Sequence, residues 1–197
     1  MSQVDRLLTE IQTCRLCEVH LPLGPRPILR ISSSAKLLLV GQAPGRRVHE
    51  TGIPWNDPSG DRLRDWLGMS RAEFYDQRQL AIVPTGLCYP GTGPRGDTPP
   101  RAECAPLWHP QIRPLMPQVV LTLLIGQYAQ AYYLGARRKK TLRETVQAYQ
   151  EYLPDFLPLP HPSPRNQLWF KKNPWFAAEV LPLLQRRVQQ ALTQVAT

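Results

Sequence analysis

A chain of 197 residues is long enough for one domain with a full hydrophobic core and does not require two. A composition that is 42% hydrophobic and 20% charged excludes a wholly disordered chain, and no run of about 18 apolar residues offers a membrane span. Lys and Arg number 24 against 15 Asp and Glu, a formal charge of +9 that favours polyanionic partners without naming one.

In chain order, residues 4–12 (VDRLLTEIQ) have amphipathic helical spacing and run into Cys14 and Cys17, a C-x2-C pair. A proline-rich loop over 21–30 follows. Residues 36–40 (KLLLV) then form a short apolar run that stops at a glycine loop, the pattern of a buried parallel strand ending at its functional edge. A helix is predicted over 59–67 and closed by Gly68; Ser70 with Glu73 is a capping box that opens another. Residues 79–84 (QLAIVP) and 119–125 (VVLTLLI) read as second and third buried strands, the latter ended by Gly126. The basic run 136–140 is an exposed loop, Thr141 and Glu144 form a second capping box, and 156–160 is a short fourth strand. Asn173 and Pro174 suit an N-cap and first helical position for a helix reaching about Gln194. The 22 prolines punctuate the chain without a low-complexity block and mark rigid loops and strand ends.

Strands alternating with helices predict a single three-layer α/β/α domain over 1–197, with a central, mostly parallel four-stranded sheet. Ligands in such sheets bind beyond the carboxyl ends of the strands. The glycine loop, the segment around Cys88 and the segment around His161 all follow strands and are expected on one edge.

Two segments carry chemistry. The loop Gly41, Gln42, Ala43, Pro44, Gly45 is followed by Gly52-Ile-Pro-Trp55-Asn56-Asp57-Pro-Ser-Gly60. Its glycines allow close backbone approach to a ligand, but the Gly-Lys-Ser/Thr ending of a P-loop is absent. The second is His161-Pro162-Ser163-Pro164-Arg165-Asn166, a histidine held by prolines at a strand end. Four cysteines, Cys14, Cys17, Cys88 and Cys104, two of them in a C-x2-C pair, point to metal binding rather than disulfides; spacing alone leaves iron–sulfur and zinc open.

GQAPG with the downstream G-x-P-W and SG, and then HPSPRN, resemble the two motifs of the uracil-DNA glycosylase superfamily, above all its iron–sulfur branches, families 4 and 5. The resemblance runs from Cys14 to about Trp175. It implies a hydrolase of base-excision repair that flips a deaminated base, uracil first, out of DNA and cleaves its N-glycosidic bond. It also implies a [4Fe–4S] cluster on the four cysteines, with zinc as the alternative. By the same resemblance His161 donates to the base carbonyl, Trp55 stacks on the base, and Gly41, Gln42, Ala43 and Gly45 cradle base and sugar. Asn56 and Ser163 join the substrate set, and Pro162, Arg165 and Asn166 belong to the loop that enters DNA.

Two departures stand out. Gln42 occupies the place of a family 4 carboxylate and cannot accept a proton, so Asp57 is the candidate for positioning water, although an Asp there also suits a helix N-cap. Pro84 replaces the asparagine that reads the uracil edge, so hypoxanthine and xanthine stand as alternative bases. The rival readings are a catalytically silent DNA-binding member of the fold and a zinc-stabilised adaptor. The N-terminus, MSQVDRLLTE, lacks the basic-then-apolar pattern of a leader; a cytoplasmic monomer with DNA as partner and no membrane contact is the expectation.

Overall fold

The computed structural model describes residues 1–94 and 96–193. Helix α1 (Gln3–Gln12) starts at a capping box of Ser2 and Asp5 and buries Leu7 and Ile11, one turn apart on one face. Strand β1 (Leu37–Val40) follows the proline-rich loop and is buried at every position. A short helix α2 (Arg46–Thr51) leads to α3 (Pro58–Leu67), which has Asp57 as N-cap, Pro58 in its first turn and Gly68 at φ 64° as its stop. Helix α4 (Arg71–Tyr75) opens on the Ser70–Glu73 capping box and precedes β2 (Leu80–Ile82).

A two-stranded hairpin of β3 (Thr92–Gly93) and β4 (Gly96–Asp97) comes next, then α5 (Cys104–Ile112), β5 (Leu121–Ile125), α6 (Gly126–Leu134) and α7 (Leu142–Gln147). Strand β6 (Phe156–Leu159), α8 (Gln167–Lys172), a π-helical turn over Phe176–Val180 and α9 (Leu181–Thr193) complete the order. The predicted end at Gln194 lies outside the described residues.

Strands β2, β1, β5 and β6 pair in that order, all parallel, with Leu39 opposite both Ile82 and Leu123 and Leu124 opposite Pro158. Alternation along β1 splits the core. Leu37 and Leu39 pack with Leu63, Leu67, Phe176 and Leu184 on one face, while Leu38 and Val40 pack with Ile11, Trp108, Ile112 and Ala129 on the other. The free edge of β2 is covered by the proline-rich loop, where Arg30 and Ile82 exchange both backbone hydrogen bonds at 2.8 Å. Connections leave β1 towards β2 on one side and return to β5 on the other, so the sheet reverses its order between β1 and β5. That switch opens a crevice at the strand ends. Among the described residues no helix is long and apolar enough to cross a membrane.

Candidate active site and thiol pocket

A cleft of about 350 Å³ lies beyond the carboxyl ends of the strands. Of the residues singled out by sequence, Gly41, Gln42, Ala43, Gly45, Trp55, Asp57, His161, Ser163 and Arg165 line it. Asn56 does not: its side-chain oxygen accepts from Arg71 Nη2 at 3.4 Å instead. Pro162 is also outside the lining, and Asn166 faces a neighbouring depression with Gln127, Tyr128 and Trp169.

The glycine loop is stapled to the segment after β2. Thr85 N–H donates to Gly41 O at 2.9 Å, its Oγ1 donates to Gln42 O at 2.7 Å, and Gly86 N–H reaches the same oxygen at 2.9 Å. Gln42 Nε2 donates to Thr98 O at 3.2 Å, which turns the amide towards the hairpin and leaves Oε1 as an acceptor.

Trp55 forms the opposite wall and dictates two glycines. A Cβ on Gly41 would sit 3.0 Å from the indole, and one on Gly60 only 1.8 Å from the Trp55 carbonyl oxygen. Trp55 itself holds φ 56°, a left-handed conformation that costs a bulky residue of order 1–3 kcal/mol. Arg64 steadies it by donating to Trp55 O at 3.3 Å. The indole lies 5.5 Å from the His161 ring, tilted by 31°. Asp57 accepts from Gly60 N–H at 2.8 Å through Oδ1 and caps α3, while the same carboxylate faces the cleft. Capping and cleft-facing therefore coexist in one side chain, because a carboxylate has two oxygens.

The His161 loop defines a tautomer. Ser163 N–H donates to His161 Nδ1 at 3.1 Å, so Nδ1 carries no proton and the neutral ring bears its proton on Nε2. Burial pushes the His161 pKa below its ordinary value, opposed by the Asp57 and Asp97 carboxylates. The loop is held from both sides: Asn166 Nδ2 donates to His161 O at 2.9 Å, and Arg62 Nη1 donates to Ser163 O at 3.3 Å.

Sequence reasoning missed Asp97. The β3–β4 hairpin brings this second carboxylate to the cleft rim, with Oδ2 3.4 Å from where a Gly45 side chain would begin. A relay fixes it: Tyr89 OH pairs with Thr92 Oγ1 at 2.6 Å, and Thr92 Oγ1 donates to Asp97 Oδ1 at 3.2 Å. Two-residue strands leave no periodicity to find. His109 was missed as well. Its Nε2 pairs with Pro84 O at 3.1 Å and its Nδ1 with Tyr133 OH at 2.8 Å. Since a carbonyl only accepts, Nε2 is the protonated nitrogen. Pro84 thus turns its carbonyl away to His109 and offers the cleft only its ring.

On the far side of the same segment, Cys14, Cys17, Cys88 and Cys104 line one small pocket with Leu21, Pro25, Pro27, Leu87, Arg101 and Trp108. All four are free thiols. Leu87 N–H donates to Cys104 Sγ at 3.3 Å. Burial, with the neighbouring sulfurs adding to it, pushes Cys88 up to about 11 and Cys104 up to about 12. In this pocket thiolates need a cationic group to hold them in charged form. Among the described residues no three His, Cys, Asp or Glu side chains stand where a single metal ion could take them together. The donor set is gathered around one space without being drawn to one point. Soft sulfur ligands with a backbone N–H on one of them suit an iron–sulfur group.

The uracil DNA glycosylase superfamily model matches residues 30–185, from the end of the loop before β1 into α9. The chain belongs to the uracil-DNA glycosylase superfamily. The Type-4 uracil-DNA glycosylase of Archaeoglobus fulgidus is 27% identical over 133 residues, which cover 66% of this chain and 62% of that protein. The matched stretch thus spans less than two thirds of that relative. The superfamily's sheet, glycine loop and histidine loop fall inside the matched range, whereas α1, Cys14 and Cys17 precede it.

Proposed function

We propose that this superfamily member is a DNA glycosylase that hydrolyses the N-glycosidic bond of a flipped, deaminated base, uracil first. The observation that carries the reading is His161, held neutral with its Nε2–H free of protein partners among the described residues and facing a cleft walled by Trp55. As the bond to the sugar lengthens, negative charge builds on the departing base. A positioned N–H aimed at a base carbonyl oxygen stabilises that charge without a proton having to transfer. The flipped base stacks on the Trp55 indole. Positive charge builds on the sugar at the same time, and Asp57 offers its uncapped oxygen to the sugar and to an attacking water. Gln42 Oε1 is a second acceptor for that water. The lack of a side-chain polar group at Pro84 leaves hypoxanthine and xanthine as rival bases, read by Asp97, Ser163 and the glycine-loop backbone.

Arg165 at the cleft rim, with Lys171 and Lys172 on α8, supplies phosphate contacts, so binding weakens with salt. In the thiol pocket, Cys14, Cys17, Cys88 and Cys104 would hold a [4Fe–4S] cluster, with zinc the lesser alternative. When bound, the cluster would supply a cross-link that ties α1 to the segment after β2 and to α5.

The test is base release from oligonucleotides carrying one uracil, hypoxanthine or xanthine, single-stranded and opposite each base, with anaerobically purified protein. Release of one base, lost in His161→Ala, is the expected result. Salt-sensitive binding with no release from any strand overturns the enzymatic reading in favour of a silent DNA-binding member.

A further inference from the structure

The lining of the thiol pocket contains one charged side chain among the described residues, Arg101. Its placement is divided. Nη2 donates to Glu103 Oε1 at 2.7 Å towards solvent, while Nε is buried without a hydrogen-bond partner. Only one other buried side-chain nitrogen or oxygen among the described residues is left in that state, His49 Nδ1. A buried N–H with no acceptor loses its hydration and gains nothing in return, so such groups are rare unless something absent from the bare chain accepts from them. Arg101 lines the thiol pocket, and its guanidinium stands within interaction range of the Cys17 side chain.

We propose that Arg101 is a positioning residue for the cluster: its Nε–H donates to the Cys17 thiolate when the cluster is bound, and its charge offsets part of the negative charge of the four thiolates. The inference rests on the cluster reading above. Four thiolates around an iron–sulfur core leave the assembly net negative, and an apolar wall of Leu21, Pro25, Pro27, Leu87 and Trp108 gives that charge no hydration. A cation with a fixed N–H beside one sulfur is the group such a site lacks elsewhere. Hydrogen bonds to sulfur and local charge both set how readily a cluster gains an electron, and removing the donor disfavours the more negative, reduced form.

The experiment compares anaerobically purified wild type, Arg101→Gln, Arg101→Lys and Glu103→Gln. It reads iron and sulfide content, the rate of visible bleaching in air, and the reduction midpoint followed by electron paramagnetic resonance. Arg101→Gln should bleach several-fold faster with its midpoint moved negative, and Arg101→Lys should restore part of both. Glu103→Gln breaks the same ion pair but removes a carboxylate, so its midpoint should move the opposite way. A wild-type midpoint in Arg101→Gln overturns the proposal. So does a shift of the same sign in both glutamine variants, which would make the Arg101–Glu103 pair a strut and nothing more. Wild-type protein without iron and sulfide would instead remove the cluster reading, and this inference with it.

Discussion

Replacing Gly60 by alanine tests whether the Trp55 wall must stand where it does. The new methyl would begin 1.8 Å from Trp55 O and 2.6 Å from its carbonyl carbon, against an ordinary contact near 3.4 Å. The backbones must separate by roughly 1.6 Å, and nothing flexible lies between them. The movement also strains the Gly60 N–H bond to Asp57 and the Arg64 bond to Trp55 O, worth about 1 kcal/mol each. With an overpacking cost of about 1–3 kcal/mol, the expected destabilisation is about 3–5 kcal/mol, inside the margin of a typical domain. A displacement above 1 Å in a group that positions substrate costs on the order of 10²-fold in rate. Urea unfolding and single-turnover base release on the same preparation check both figures. Should Gly60→Ala fail to fold, Trp55→Gly serves instead: it relieves the positive φ, keeps the backbone path and removes the ring. A wild-type rate in either folded variant refutes the idea that the indole wall positions the base.

Asp57→Asn and Asp57→Ala separate the two duties of that side chain. Asn keeps the cap within a few tenths of a kcal/mol while Ala costs about 1 kcal/mol in urea unfolding, yet both should lose base release by orders of magnitude; an Asn variant at wild-type rate would leave Asp57 a cap alone. Stability should fall on the acid side because His49, His109 and His161 all have pKa values pushed down by burial. The unfolded chain then binds more protons below the ordinary imidazole value of 6.5, so urea midpoints should be level around pH 7.5 and decline as pH drops from 6.5 through the folded values. On the cluster proposal, Cys104→Ser should remove the visible absorbance of anaerobic protein and lower its melting temperature, since it deletes one of the four sulfur ligands. Unchanged colour would exclude Cys104 from the ligand set.

The sheet was legible because its strands are short apolar runs ended by Gly or Pro: LLLV, LAI, LTLLI and FLPL all lie within the segments read as strands. The capping boxes at Ser70 and Thr141 mark helix starts for the same reason, since each reports local hydrogen bonding alone. Helix α5 was not legible. It carries Pro106 and Pro110 and little amphipathic pattern, and it forms because burial of Trp108 and Ile112 against β1 and β5 outweighs propensity. In the site, residues on the glycine and histidine loops were visible through their motifs. His109 and Thr85 were not, because each acts through a partner distant in sequence that only the folded chain brings within reach, and Asp97 was not, because strands of two residues carry no pattern to read.

The five residues 84–88 serve two neighbourhoods at once. Pro84 walls the cleft and Thr85 pins the glycine loop; Gly86 does the same through its N–H while also lining the thiol pocket that Leu87 and Cys88 help to build. A side chain on Gly86 would meet Pro100 at 2.8 Å and Ala43 at 3.4 Å, so the strap has no slack between the two. No residue can be inserted into or removed from this stretch without shifting either the sulfurs or the glycine loop by a full peptide step. Oxidative damage to the thiols would accordingly register in the cleft as lost geometry rather than merely as lost stability.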